Sequence, residues 1–213
     1  MSHFVGLCFG ENWENDIEKF DEGLQVEGYI AYTKEDAIQE AIARHAENYD
    51  WAVKTLDKDD ISTQTYDHCT ELVKKGPTLT PQEAWEIVKG WGYERDENDN
   101  LISHYNPDSR WDWYSIGGRW SGYLPLKDRD KAGNPIETNA AYFDEIDWEY
   151  LLKERFTPFC YIDLDGDWHE KGEMGWFACV TNEKGKDCWD EEFKDFIESL
   201  DCNCLVTVVD FHI

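Results

Sequence analysis

From His3 to Phe9 small and bulky apolar residues follow one another, a pattern that predicts a β-strand, and a second strand is expected over residues 25–32. Thr33 then opens a helix, with Asp36 three positions on in a capping-box-like place. Ala37, Ile38, Ala41, Ile42, His45 and Tyr49 recur at helical spacing and form its buried face. On that stripe His45 reads as a core or boundary histidine and not as a ligand. A weaker helical pattern covers residues 59–74. Thr80, Pro81 and Glu83 supply an N-cap, a proline at the first helical position and an acid at the third. Trp85 and Val88 face inward on this helix, Gly90 and Gly92 end it, and residues 94–100 follow as a polar loop.

In the second half, residues 127–135 read as a charged loop. Residues 140–155 read as a helix with Phe143, Ile146, Tyr150 and Leu151 near its buried side. Residues 157–164 and 167–170 form a predicted hairpin around Asp165 and Gly166, a pair suited to the positive φ of a tight reversal. Residues 173–181 continue the sheet. Trp189, Phe193, Phe196, Ile197 and Leu200 mark an amphipathic helix, and residues 205–213 a last, paired strand. Interleaved short strands and helices predict an α+β fold with a mixed or mostly antiparallel sheet and helices packed on it. No stretch rich in Pro, Gly or Ser divides the chain, so residues 1–213 read as a single domain.

Composition adds bounds. The chain is 41% hydrophobic and carries 11 Trp, too much apolar surface for a disordered polymer. No run reaches the length of a bilayer span, and residues 1–10 lack a basic start followed by an apolar stretch, so a cytoplasmic protein is expected. Seven cysteines without a repeating framework suggest reduced thiols, with Cys8, Cys160 and Cys179 as small buried hydrophobes. The net charge of -27 is divided between 23 acids and 9 bases before residue 101 and 24 acids and 11 bases after it, so there is no acidic tail. Such a body does not suit direct binding of nucleic acid, which needs clustered Lys and Arg. It suits solubility, cationic partners or imitation of a polyanion.

The densest chemistry lies in residues 111–120. As a strand, this segment would place Trp111, Trp113 and Ser115 on one face and Asp112, Tyr114 and Ile116 on the other, with Gly117 and Gly118 permitting a bulge or tight bend. Trp111, Trp113, Tyr114, Gly117, Gly118, Arg119 and Trp120 are the candidate ligand-binding residues: rings to stack, glycines for close approach, and a planar cation to hold an anion. The alternative is a core strand in which Arg119 pairs with Asp112. A second group comprises Asp165, Asp167, His169, Glu170 and Glu173, with Asp210 and His212 on one face of the last strand. Of these, His169, His212, Asp210 and Glu173 are the candidates for acid–base work. Spacing supports no metal site. In the stretch that starts at Asp163, glycine falls fourth and Met174 twelfth, unlike a calcium loop. Cys202 and Cys204 match neither zinc nor redox spacing, and no nucleophile elbow is present. No cofactor is expected, and the residues favour binding over catalysis.

Four segments together carry a resemblance: Met1-Ser2-His3-Phe4, residues 111–120, Gly172-Glu173-Met174-Gly175-Trp176-Phe177 and Val208-Val209-Asp210-Phe211-His212-Ile213. They resemble a family of uncharacterised proteins frequent in tailed-phage and prophage genomes. The likeness covers both ends and the second half, residues 35–105 being variable, and Val5-Gly6-Leu7-Cys8 departs from its usual fully apolar strand. It brings no catalytic residues. It implies a phage accessory protein that antagonises bacterial immunity in the host cytoplasm; within that class the aromatic and glycine-rich residues 111–120 favour sequestering a nucleotide-type signal in an aromatic and arginine pocket. Two other mechanisms stay open. One is an acidic nucleic-acid mimic that blocks a basic defence protein such as a CRISPR, restriction or other nuclease; the other is a hydrolase acting on a nucleotide signal through His169 or His212 with a carboxylate. The expected partner is a small anionic ligand or a basic host protein, without membrane, and the oligomeric state is open.

Overall fold

The computed structural model describes residues 2–58, 60–175 and 179–213. The fold is α+β and mostly antiparallel, in two compact units: residues 1–25 with 105–213, and residues 26–104. The chain starts with strand β1 (His3–Phe9) and the short helix α1 (Trp13–Ile17). It then forms the second unit from β2 (Tyr29–Tyr32), α2 (Lys34–Leu56), α3 (Thr63–Lys75), α4 (Pro81–Val88), β3 (Glu94–Arg95) and β4 (Leu101–Ser103). It returns with β5 (Trp113–Ile116), β6 (Leu124–Arg129), β7 (Pro135–Thr138), β8 (Ala140–Tyr142) and α5 (Trp148–Glu154). Strands β9 (Cys160–Ile162), β10 (Trp168–Glu170), β11 (Glu173–Met174) and β12 (Val180–Thr181) follow, then α6 (Lys186–Ser199) and β13 (Leu205–His212).

In the second unit the helix starts read from the sequence are made by their caps. Thr33 Oγ1 accepts from Asp36 N at 3.1 Å, and Thr80 and Glu83 form a reciprocal capping box. Helix α3 begins at Thr63, capped by Ser62 and later than the expected stretch, whose Asp59 lies outside the described residues. Ala37, Ala41, Ala84, Val88 and Leu101 are the core of this unit, with Trp85 and Trp91 partly buried against it. His45 is buried and its Nε2 donates to the Gly76 carbonyl at 2.8 Å, as befits a core histidine. The expected loop over residues 94–100 contains β3, which pairs with the unforeseen β4; neither is long enough to show a period.

The first unit is built on a six-stranded sheet in which β13 is central. β1 pairs with it along its whole length, from His3 opposite His212 to Phe9 opposite Val206, and with β9 in parallel on the other side. Strands β5 and β8 share the far edge of β13. The two sheet faces are covered differently. Val5, Leu7, Phe9, Val206 and Val208 pack under Leu151 of α5 and Trp189, Phe193 and Ile197 of α6. On the opposite face Phe4, Cys8, Val209 and Phe211 pack with Trp13 and Ile17 of α1 and with Trp111.

Four sequence expectations are corrected here. Residues 127–135 are not a loop: β6 and β7 pair as a hairpin, and only the tip, where Asp130 Oδ1 accepts from Ala132 N at 2.8 Å and Asn134 N at 2.9 Å, is a turn. Charge on an exposed hairpin mimicked a loop. The helix expected over 140–155 begins at Trp148, because Asp147 caps it, accepting from Tyr150 N at 3.0 Å, while residues 140–142 pair with β13. Strands β11 and β12 form a separate two-stranded sheet instead of extending the main one, and the expected strand's residues 176–178 lie outside the described residues. Cys179 is exposed, whereas Cys8 and Cys160 are buried as expected.

Candidate functional site

The covered part of the α5/α6 face stops short of one end of the sheet. There the inward positions of three adjacent strands turn polar: His3 on β1, Asp210 and His212 on β13, Trp113 and Ser115 on β5. Register places His3 opposite His212, His212 opposite Trp113, and Asp210 opposite Ser115. Asp210 is 2% exposed. Its Oδ1 accepts from His3 Nδ1 at 3.0 Å and its Oδ2 from the Arg119 backbone N–H at 3.0 Å. A buried carboxylate without such donors would cost several kcal/mol, so these two bonds are what permit it.

Gly117 and Gly118 explain how Arg119 reaches Asp210. Both have positive φ, +71° and +48°. A Cβ at Gly118 would overlap Asp210 and Ser115, and one at Gly117 would overlap the Asn139 amide. The bend they allow turns the chain off β5 into a single helical turn, Gly118–Trp120, across the end of Asp210.

His212 has its own carboxylate: its Nδ1 lies 2.5 Å from Asp112 Oδ1. The His3 and His212 rings meet edge to face with centroids 4.8 Å apart. Trp113 is 6.2 Å from each and half exposed. His3 also borders a cleft of ≈ 320 Å³ whose walls include Trp120, Phe156, Phe159, Lys171 and Lys186. The cleft's charges are ordered. Lys186 Nζ lies 2.6 Å from Asp190 Oδ2, and Thr157 Oγ1 donates to Asp190 Oδ1 at 2.5 Å. Burial opposes ionisation of Asp190, but these two bonds outweigh it and hold the carboxyl below its ordinary value; the same partner raises Lys186. Lys171 pairs with Glu183 at 2.6 Å.

The ligand-binding residues read from the sequence are thus divided. Trp113 and Trp120 border the polar end and the cleft. Arg119 is exposed, and among the described residues its guanidinium makes no ion pair; the expected partner Asp112 is taken by His212. Trp111 and Tyr114 are packing residues. The strand begins only at Trp113, so Trp111 does not share its face; it is buried, donating from Nε1 to the Ile17 carbonyl at 3.1 Å. Tyr114 meets it edge on at 5.2 Å, and burial followed by the hydrogen bond to Glu14 raises the phenol's pKa.

Of the acid–base candidates, Asp210 and His212 come together. His169 does not join them: it stacks flat on Tyr161 at 4.5 Å and its Nε2 lies 2.8 Å from Asp163 Oδ2. Glu173 accepts from Thr181 and Asn182, Glu170 from Trp168 Nε1 at 2.9 Å, and Asp165 and Asp167 are exposed around the turn at Asp163. Burial, partly offset by that indole bond and by Arg110, raises the Glu170 carboxyl. Among the described residues no group of three or more His, Cys, Asp or Glu side chains is arranged to hold a metal ion.

Sequence reasoning missed His3, Asp112 as a histidine partner, and the cleft lysines. The only signal for His3 was its place in the first of the four segments that carry the resemblance. All four meet here: His3 and Asp210 bond to each other, Arg119 N to Asp210, and Ser2 Oγ to the Gly175 carbonyl at 2.8 Å. Comparison with protein-family models, with curated proteins and with solved structures finds no match for this chain.

Proposed function

We propose that the chain binds a small anionic ligand carrying a planar ring, of the nucleotide type, at this polar end of the sheet, and that it acts by sequestering that ligand. The observation that carries the reading is the concentration of two lysines, Lys171 and Lys186, and three rings, His3, Trp120 and Phe156, around one cleft of ≈ 320 Å³ in a chain whose net charge is -27. Rings bury a base and cations neutralise phosphate, while the surrounding acids keep long polyanions away. The setting, a phage accessory protein that removes a nucleotide signal of bacterial immunity, rests on the resemblance of the four segments that converge here.

Titration calorimetry with mono- and dinucleotides tests this, using the wild type, Trp120→Ala and Lys186→Ala. Binding in the wild type is expected, with affinity falling roughly 5- to 150-fold in Lys186→Ala, which removes a cation from the cleft wall. Because Lys186 is exposed, that variant's melting temperature should stay with the wild type's. No heat with any nucleotide, or equal affinity in all three proteins, removes the reading.

A further inference from the structure

We propose that His3 and His212 are an acid–base pair that cleaves a short ribonucleotide phosphodiester, with the ribose 2′-hydroxyl as nucleophile. The inference rests on the nucleotide-binding reading of the same site and adds a reaction to it. Each imidazole is engaged through Nδ1, His3 by Asp210 at 3.0 Å and His212 by Asp112 at 2.5 Å. A carboxylate on Nδ1 fixes the tautomer, so the neutral ring keeps its lone pair on Nε2 and the protonated ring carries its second proton there. Among the described residues neither Nε2 has a hydrogen-bond partner. The two rings come from strand positions in direct register, with centroids 4.8 Å apart, so both can reach oxygens of one phosphate.

The surroundings suit this substrate. Trp113 offers an exposed ring beside both histidines, and His3 opens on the cleft that holds Lys171 and Lys186. A pair of imidazoles supplies one base and one acid, which is what attack by a hydroxyl already within the substrate requires. The neutral Nε2 takes the proton from O2′, O2′ bonds to phosphorus, and the P–O5′ bond breaks. O5′ leaves with the proton from the other Nε2. The products are a 2′,3′-cyclic phosphate and a free 5′-hydroxyl; the two rings have exchanged protonation states, and proton exchange with water restores them. Asp112 and Asp210 act as positioning residues through the rings they hold.

The test uses uridylyl-(3′→5′)-adenosine and its 2′-deoxy counterpart, with products followed by chromatography and binding of the deoxy compound by calorimetry. The wild type is expected to convert the ribo compound to the cyclic phosphate and to leave the deoxy compound intact. His3→Asn and His212→Asn place an amide near Nδ1, keeping that bond while deleting Nε2, and each should slow turnover at least about 100-fold with an unchanged melting temperature. Asp112→Asn should lower kcat with KM unchanged. Cleavage that persists in both histidine variants, or equal cleavage of ribo and deoxy compounds, overturns the proposal. Deoxy binding without ribo turnover in the wild type overturns catalysis and leaves the binding reading in place; absence of both removes the two together.

Discussion

A side chain at position 118 has nowhere to go. Gly118 sits at φ +48° against Asp210 and Ser115, whereas Gly133, at φ +86° in the β6–β7 turn, has open space around its Cα. Gly133→Ala therefore carries backbone strain alone, about 1 kcal/mol, while Gly118→Ala adds steric overlap and should cost roughly 2 to 4 kcal/mol. Urea denaturation of the two variants measures the difference, and equal midpoints would show that the bend onto Asp210 is not tight. At this scale legibility followed range. Thr80, Glu83 and Gly166 were read correctly because each acts on neighbours within four residues. His3 was not, since its partners Asp210 and His212 lie about two hundred residues away and become neighbours only through one strand register. Trp111 and Trp113 were read as one face because two-residue periodicity says nothing about where a strand starts.

Helix α5 shows how an element's boundary is a chemical event. Asp147 accepts from Tyr150 N and is paired with Arg129 of β6, so one carboxylate both starts the helix and ties it to the hairpin. The Arg129 hydrogen bond first, and the helix N–H second, hold that carboxyl below its ordinary value. A depressed folded value means that the interaction stabilises above the unfolded carboxylate pKa of about 3.9 and is lost as pH falls through the folded value. Asp147→Ala should accordingly cost about 1 kcal/mol at pH 7, with a narrower gap to wild type at pH 3. Thermal melts at the two pH values measure it, and a gap that widens in acid contradicts the assignment. Elements with their own caps or a sustained stripe, α2, α4 and α6, were legible in the sequence. Strands β3, β4, β6 and β7 were not, because runs of two to six residues are too short to show a period and owe their state to pairing across the turn.

At the scale of the whole molecule, the unit formed by residues 26–104 enters and leaves at adjacent points: Val26 N donates to the His104 carbonyl at 3.1 Å. Charge is the other whole-molecule property. A net charge of -27 repels an approaching nucleotide at long range, whereas Lys171 and Lys186 attract it only close to the cleft, each already paired at 2.6 Å. Raising ionic strength from about 0.01 M to about 0.15 M shortens the screening length from roughly 30 Å to roughly 8 Å, which removes distant repulsion before it weakens contacts inside the cleft. Over this range the association rate of a fluorescent nucleotide should therefore rise with salt, as stopped-flow mixing at fixed temperature measures, and the ligand-free melting temperature should rise as self-repulsion is screened. A polyanion mimic behaves in the opposite way, because its attraction to a basic surface is itself long-ranged and falls as salt is added. A nucleotide association rate that falls steeply with salt, alongside capture of a basic nucleic-acid-binding protein that is lost over the same range, would move the function from sequestration in the cleft to imitation of nucleic acid by the acidic surface.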